Sequence, residues 1–142
     1  MLLGDVAQQG HLLLPVDQVL VYSNLEGNLC PEVSFPQRKP LSREVSADAI
    51  WCARYQKPKV NHQPTDLPSD IRNCLCVPFV AAQNRVLGVV EFRNKKTGGL
   101  FTEEDARAAT CLARIATIGL DRARLFFRIE EWRRSVETLL SF

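Results

Sequence analysis

The chain has 142 residues, of which 46% are hydrophobic and 24% charged, and its formal net charge is +2. That length suits one domain able to bury a core without disulfide or metal staples, and so small a charge does not point to nucleic acid or a membrane as partner. No apolar run is long enough to span a bilayer, and Met1-Leu2-Leu3 lacks the basic flank of a signal peptide. The opening reads like the interior of a protein, so the expectation is a fragment of a larger one.

Residues 1–14 are expected to form a first helix, with Leu3, Val6, Leu13 and Leu14 as its apolar stripe. Gly4 and Gly10 weaken it and Pro15 stops it. Asp17 to Ser23 reads as a strand, with Val19 and Val21 facing one way and Leu20 and Tyr22 the other. Glu26-Gly27-Asn28 makes a turn. Leu29 to Phe35 could return as a second strand; proline cannot donate to a ladder, so Pro31 implies either a sheet edge or a strand that starts after it.

Ser46 is a good N-cap for a helix over Ala47–Tyr55, whose inner face would use Ala49, Ile50, Ala53 and Cys52. A short strand is expected within 57–61. The segment from His62 to Asn73 contains Pro64 and Pro68, which preclude a long helix; Thr65 or Ser69 could cap one turn.

Two Val-rich apolar runs follow, Cys74–Ala81 and Arg85–Phe92, joined at Gln83-Asn84. A tight joint between two strands predicts an antiparallel hairpin. Both runs are apolar on both faces, so the hairpin should be central and covered on each side. Asn94 to Gly99 then breaks the strand.

Thr102 caps the last helix, with Asp105 three residues on in a capping-box arrangement. The helix can run from Glu103 almost to Phe142, about 60 Å at 1.5 Å per residue. Ile115, Ile118, Arg122, Leu125, Ile129, Trp132, Val136 and Leu139 step by three and four, a heptad seam interrupted by Arg122. Its first part, Ala108 to Ile118, is expected to pack on the sheet and first helix. Leu125, Ile129, Trp132, Val136 and Leu139 are expected to meet a partner helix. In a parallel two-stranded coil Arg128 and Arg133 would oppose each other across the seam. An antiparallel arrangement, a bundle with the first helix, or a different partner protein would avoid that. Glu130 with Arg134, and Glu103 with Arg107, are spaced as solvated ion pairs.

A hairpin reading CVPF then VLGVVEFRNK, followed by Gly-Gly, Phe, Thr-Glu-Glu-Asp and a long helix, resembles the second half of a GAF domain. The regulatory GAF domains of cyclic nucleotide phosphodiesterases are similar through the motif of Asn94, Lys95, Phe101 and Asp105; Ala106 stands where that family has Glu. In the family the Lys and Asp pair structurally and do not hold the ligand. The resemblance implies an α+β fold: a central antiparallel sheet of five or six strands with helices on both faces and a long C-terminal helix. The first and last helices would lie together on one face and the helix from Ala47 on the other. The chain then divides into a helix over 1–14, a sheet and pocket region over 17–101 and the long helix over 102–142. The resemblance also implies a pocket between sheet and helix, under the 62–73 segment, with Ile50, Ala53, His62, Asp66 and Cys76 as its candidates. The short lid makes that pocket a reduced one.

No nucleophile motif or Gly-rich phosphate loop is present, so neither catalytic residues nor a metal is expected. The five cysteines, Cys30, Cys52, Cys74, Cys76 and Cys111, form no framework, which favours reduced thiols in the cytoplasm. Cys74 and Cys76 share a strand face and are expected to pack as small hydrophobes; a redox role for them is the remote alternative. The methionine sulfoxide-reducing members of the resembled family use cysteines beside an acidic, Ser-rich segment that this chain lacks. The function expected is a non-catalytic regulatory module that homodimerises or docks on another protein through its terminal helices. The alternative is a small-molecule sensor, binding a cyclic nucleotide or similar ligand and signalling through the last helix.

Overall fold

In the computed structural model the described residues are 3–37, 41–96 and 98–140, with the backbone alone for 122–130. The order of elements is α1 (Leu3–Leu13), β1 (Val16–Leu25), β2 (Asn28–Phe35), α2 (Ala47–Tyr55), β3 (Lys59–Asn61), β4 (Cys74–Ala81), β5 (Arg85–Lys95) and α3 (Glu103–Leu140). The strands form one antiparallel sheet in the order β2-β1-β5-β4-β3. The hairpin of β4 and β5 is central, as its doubly apolar runs require. Strand β2, with Pro31, is an edge. The strand runs on past Phe92 to Lys95, rather than breaking at Asn94.

The period-2 alternation sorts side chains onto two faces. Val19 and Val21 join Leu75, Val77, Phe79, Val90 and Phe92 under α1 and α3, whereas Leu20 and Tyr22 join Cys74, Cys76 and Val89 under α2. Each large apolar side chain fully buried here contributes about 1.5–3 kcal/mol. At the centre, β1 and β5 approach so closely at Gly88 that a Cβ there would lie 2.1 Å from the Tyr22 carbonyl oxygen.

Two helical stripes differ from their sequence expectation. On α1, Val6 is buried, Leu3 packs against the same core and Leu14, just past the helix, is buried too, as expected; Leu13 is exposed, and Ala7 and Gly10 are buried in addition. Gly10, which weakens an isolated helix, here lets α1 settle on Phe92: a Cβ at that position would lie 3.1 Å from Phe92 Cε1. On α3, Ile115 and Ile118 do not pack on the sheet; they are 61% and 58% exposed. Ala109, Ala113 and Ala116 make that contact instead. Small residues let the helix lie close to the sheet, and at about 100° per residue the isoleucine seam falls on the opposite side. The seam continues outward at Trp132 and Leu139, 70% and 74% exposed, with Val136 half-buried. The side chains of Leu125 and Ile129, like the Glu130 half of the Glu130–Arg134 pair, lie outside the described residues. Glu103 and Arg107 do pair, at 3.7 Å. No helix among the described residues is long and apolar enough to cross a membrane.

Candidate functional site

The α2 face of the sheet carries a buried polar cluster among its apolar side chains. Glu91, in the middle of β5, is fully buried there, and each of its oxygens is taken twice. Oε1 accepts from the Ser46 hydroxyl and from Cys76 Sγ at 3.3 Å. Oε2 accepts from Arg93 Nε at 2.6 Å and, at a longer 3.5 Å, from the Tyr22 hydroxyl. A carboxylate so deep is tolerable only when paired and hydrogen-bonded. Burial, and then the charge of Glu91, pushes the Tyr22 phenol well above its ordinary range, so it remains a neutral donor. Burial on its own would lower the Arg93 guanidinium, but the facing Glu91 outweighs this and raises it.

Ser46 ties this cluster to α2. It sits at the N-cap in extended conformation, and its Oγ accepts from Ala49 N at 3.1 Å while donating to Glu91. Beyond the cap, Asp48 is buried and accepts from Asn61 Nδ2 at 2.9 Å and Cys74 Sγ at 3.4 Å; Lys59 Nζ lies 3.4 Å away. Cys52 donates to the Cys76 carbonyl at 3.3 Å. Burial, then the neighbouring thiols of Cys52 and Cys74 and the charge of Glu91, raises the Cys76 thiol well above its usual value. It is therefore a neutral thiol near pH 7, and thiolate chemistry needs the deprotonated form. These groups are committed to one another as a polar core.

Beside this core is a cleft of about 560 Å³, between β1, the N-terminal end of α2 and the 62–73 segment. The segment forms no helical turn at Thr65 or Ser69; it is irregular, with a single turn bond from Ile71 N to the Pro68 carbonyl at 2.9 Å. Its prolines deny it a helical ladder, so it is held by side chains at both ends. At one end Asp66 Oδ2 accepts from Ala47 N, the first amide of α2, at 2.6 Å. At the other, Asn94 stands at φ 59° and closes a double clamp. Its Nδ2 donates to the Asp70 carbonyl at 2.8 Å, and its Oδ1 accepts from Arg72 N at 2.6 Å. Asparagine is among the few side chains that tolerate this left-handed conformation. Next to it, Lys95 Nζ bonds Asp105 Oδ2 at 2.7 Å and the Leu100 carbonyl at 3.2 Å, and Phe101 is buried below. The Asn94, Lys95, Phe101 and Asp105 set thus joins β5, the lid and the start of α3.

The five candidate pocket residues do not converge. Asp66 lines the cleft under the lid, although its carboxylate is bound to α2. Ile50 and Ala53 line a different cleft, towards the other end of α2. Cys76 is buried beneath Glu91 and reaches neither, and His62 is exposed and lines neither. Sequence reasoning missed Glu91, Arg93, Asp48 and Ser46's second role. A signal was present: Glu91 is a lone carboxylate inside a strand run that is otherwise apolar on both faces, which is a buried polar group to be explained.

A family model described as "GAF domain" matches residues 2–121. Comparison with functionally curated proteins gives no match. Among solved structures, the GAF-B domain of DevS from Mycobacterium smegmatis is similar with a TM-score of 0.72 at 18% identity, over 89% of this chain and 95% of that one. The GAF domain of a two-component sensor histidine kinase from Bacillus halodurans gives 0.69 at 13%, over 87% and 94%. A type II free methionine-R-sulfoxide reductase from Thermoplasma acidophilum gives 0.65 at 18%, over 80% and 85%. At such identities the likeness carries the fold and leaves the chemistry open.

Proposed function

Since this chain belongs to the GAF domain family, a family of regulatory and sensory modules, we propose that it is a non-catalytic regulatory module that self-associates through its terminal helices. The exposed apolar seam of α3 carries this reading. Ile115, Ile118, Trp132 and Leu139 are exposed along a helix of 38 residues. Left in water they are an exposed apolar stripe, the kind of surface that marks an interaction site. Leu12 and Leu13, exposed on α1 beside α3, add to the apolar area. A helix about 57 Å long can supply the roughly 800 Å² per partner that a stable interface needs. Arg133 in the seam's flank favours an antiparallel or four-helix arrangement over a parallel pair, where it would meet Arg128. Five free cysteines suit a reducing, cytoplasmic setting.

Light scattering coupled to gel filtration tests this. The wild type is expected at twice its 16.0 kDa chain mass, and Ile118→Glu or Trp132→Glu at the single mass with an unchanged circular dichroism spectrum. A wild type that stays at 16.0 kDa at high concentration removes the homodimer. Capture of one defined partner through the same seam would then be the form of the reading that survives.

A second reading, a small-molecule sensor, is favoured by the cleft under the lid. A cyclic nucleotide is its first candidate, through the phosphodiesterase-like motif, but the electrostatics weigh against a phosphate. Asp17, Glu44, Asp66 and Asp70 line the cleft, and the charge of Arg93 is matched by Glu91. The N-terminus of α2, where an anion would be welcome, already holds Asp66. Thermal unfolding with cAMP and with cGMP discriminates: a ligand at a hundred times its Kd stabilises by about 2.7 kcal/mol, and no shift at about 1 mM excludes micromolar binding.

A further inference from the structure

The cleft under the 62–73 segment has a floor, walls and an edge of different chemistry. Its floor is the α2 face of the sheet. Leu20 and Ser34 stand opposite each other on β1 and β2 and so share that face, with Gln18 two residues before Leu20. Leu41, Leu67 and Ile71, each half-buried, give it apolar walls. The floor holds an unanswered group. Ser34 is only 6% exposed, yet its hydroxyl has no hydrogen-bond partner among the described residues. The one unpaired side-chain atom there that is fully enclosed is Asn24 Oδ1. The Ser34 hydroxyl is therefore open, and it opens on this cleft. The amide of Gln18, half-buried on the same floor, also has no partner among the described residues.

The edge holds an unanswered charge. The carboxylates of Asp17, Glu44 and Asp70 make no hydrogen bond or ion pair among the described residues, and that of Asp66 is taken by Ala47 N. Arg93, the one cation lining the cleft, is held by Glu91 at 2.6 Å. A cleft lined by one sign of charge concentrates the opposite sign, and a recessed polar group is satisfied by what the cleft holds. We propose that this cleft binds a small organic cation: a protonated amine at the carboxylates, an apolar body against Leu41, Leu67 and Ile71, and a hydroxyl or similar group bonded to Ser34. Apolar walls with a few convergent polar groups are the usual make-up of a small-molecule site. The proposal rests on the second reading above, a small-molecule sensor, and names the ligand class for it. An ammonium is welcome where a phosphate would be repelled.

The test is a titration of the full chain, followed by ¹H–¹⁵N correlation spectra, with four probes on one skeleton. Tyramine carries both groups. 2-(4-Hydroxyphenyl)ethanol has a hydroxyl in place of the ammonium, 2-phenylethylamine lacks the phenol, and 4-hydroxyphenylacetate has a carboxylate in place of the aminomethyl group. The expected result is saturable shifts with tyramine at Gln18, Ser34, Leu67 and Ile71. Affinity should fall about fivefold or more for the alcohol and about fivefold for 2-phenylethylamine, with 4-hydroxyphenylacetate weakest. Ser34→Ala should bind tyramine and 2-phenylethylamine equally. The double variant Glu44→Gln, Asp70→Asn should narrow the gap between tyramine and the alcohol, and both variants should keep the wild-type spectrum elsewhere. Equal binding of tyramine and the alcohol to the wild type would overturn the proposal, as would tyramine binding that neither variant alters. A preference for 4-hydroxyphenylacetate, or shifts at the same residues with cAMP or cGMP, would overturn the cation and keep the sensor. No saturable shift with any of the four probes would remove the cation site, water alone satisfying Ser34, and leave the sensor to its nucleotide test.

Discussion

Lys95 Nζ and Asp105 Oδ2 lie 2.7 Å apart, both largely shielded, and this pair fastens the end of β5 to the first turn of α3. The same Asp105 oxygen accepts from Thr102 N at 2.9 Å, while Asp105 N donates back to Thr102 Oγ1 at 3.2 Å. The capping box and the ion pair therefore share one carboxylate. Asn94, which clamps the lid, and Lys95, which holds the start of α3, are neighbours on β5.

Burial on its own would raise the Asp105 carboxyl. The bonds from Lys95 and Thr102 outweigh it and hold the group below its ordinary value. A depressed carboxylate stabilises the fold above its unfolded pKa, near 4, and that contribution is lost as pH falls through the folded value. Asp105→Asn should cost about 1 kcal/mol at neutral pH from the cap alone. The gap between variant and wild type should narrow in urea melts below about pH 4. A gap that stays constant with pH would disprove the linkage.

Glu91 accepts four hydrogen bonds and donates none. In Glu91→Gln either orientation of the amide turns its NH₂ towards two donors. Urea unfolding should show a loss of about 3–5 kcal/mol, the range for breaking one half of a buried ion pair. Arg93→Ala should be of the same order, and the double variant should lose much less than the sum. Additive losses would mean that the two side chains act separately.

Gly88 has no room for a methyl group, because the Tyr22 carbonyl oxygen would lie 2.1 Å from it. Gly88→Ala should destabilise by at least the 1–3 kcal/mol typical of overpacking, about the upper end if the strands cannot part. A thermal melt unchanged from wild type would show that β1 and β5 separate readily there.

The thiols should react in order of exposure. Cys111 is exposed and Cys30 partly so, while Cys52, Cys74 and Cys76 are buried. Alkylation of the native protein should label Cys111 first, and mass spectrometry should find the buried three modified only after denaturation. Early labelling of Cys76 would contradict its raised, neutral thiol and reopen a redox reading.

The sequence by itself determined the order of elements, the central hairpin and the caps at Ser46 and Thr102, and Pro31 pointed to an edge for β2 as one of two readings. These depend on local rules: period-2 alternation, side chains that satisfy helix-end amides, and proline's missing donor. It also held the seam of α3, since a heptad spacing is visible without coordinates. Only the tertiary structure decided which side of α3 meets the sheet. The alanines at Ala109, Ala113 and Ala116 take that face, where their small side chains allow close approach of helix to sheet, and the two isoleucines stay exposed. Gly10 becomes a packing residue for the same reason. The polar core beneath α2 was equally out of reach, because Glu91, Ser46, Tyr22 and Arg93 come from three separate elements and meet only when the sheet is assembled. Arg93 is only two residues from Glu91, but the Ser46 and Tyr22 partners lie 45 and 69 residues away, and spacing along the chain carries no trace of them.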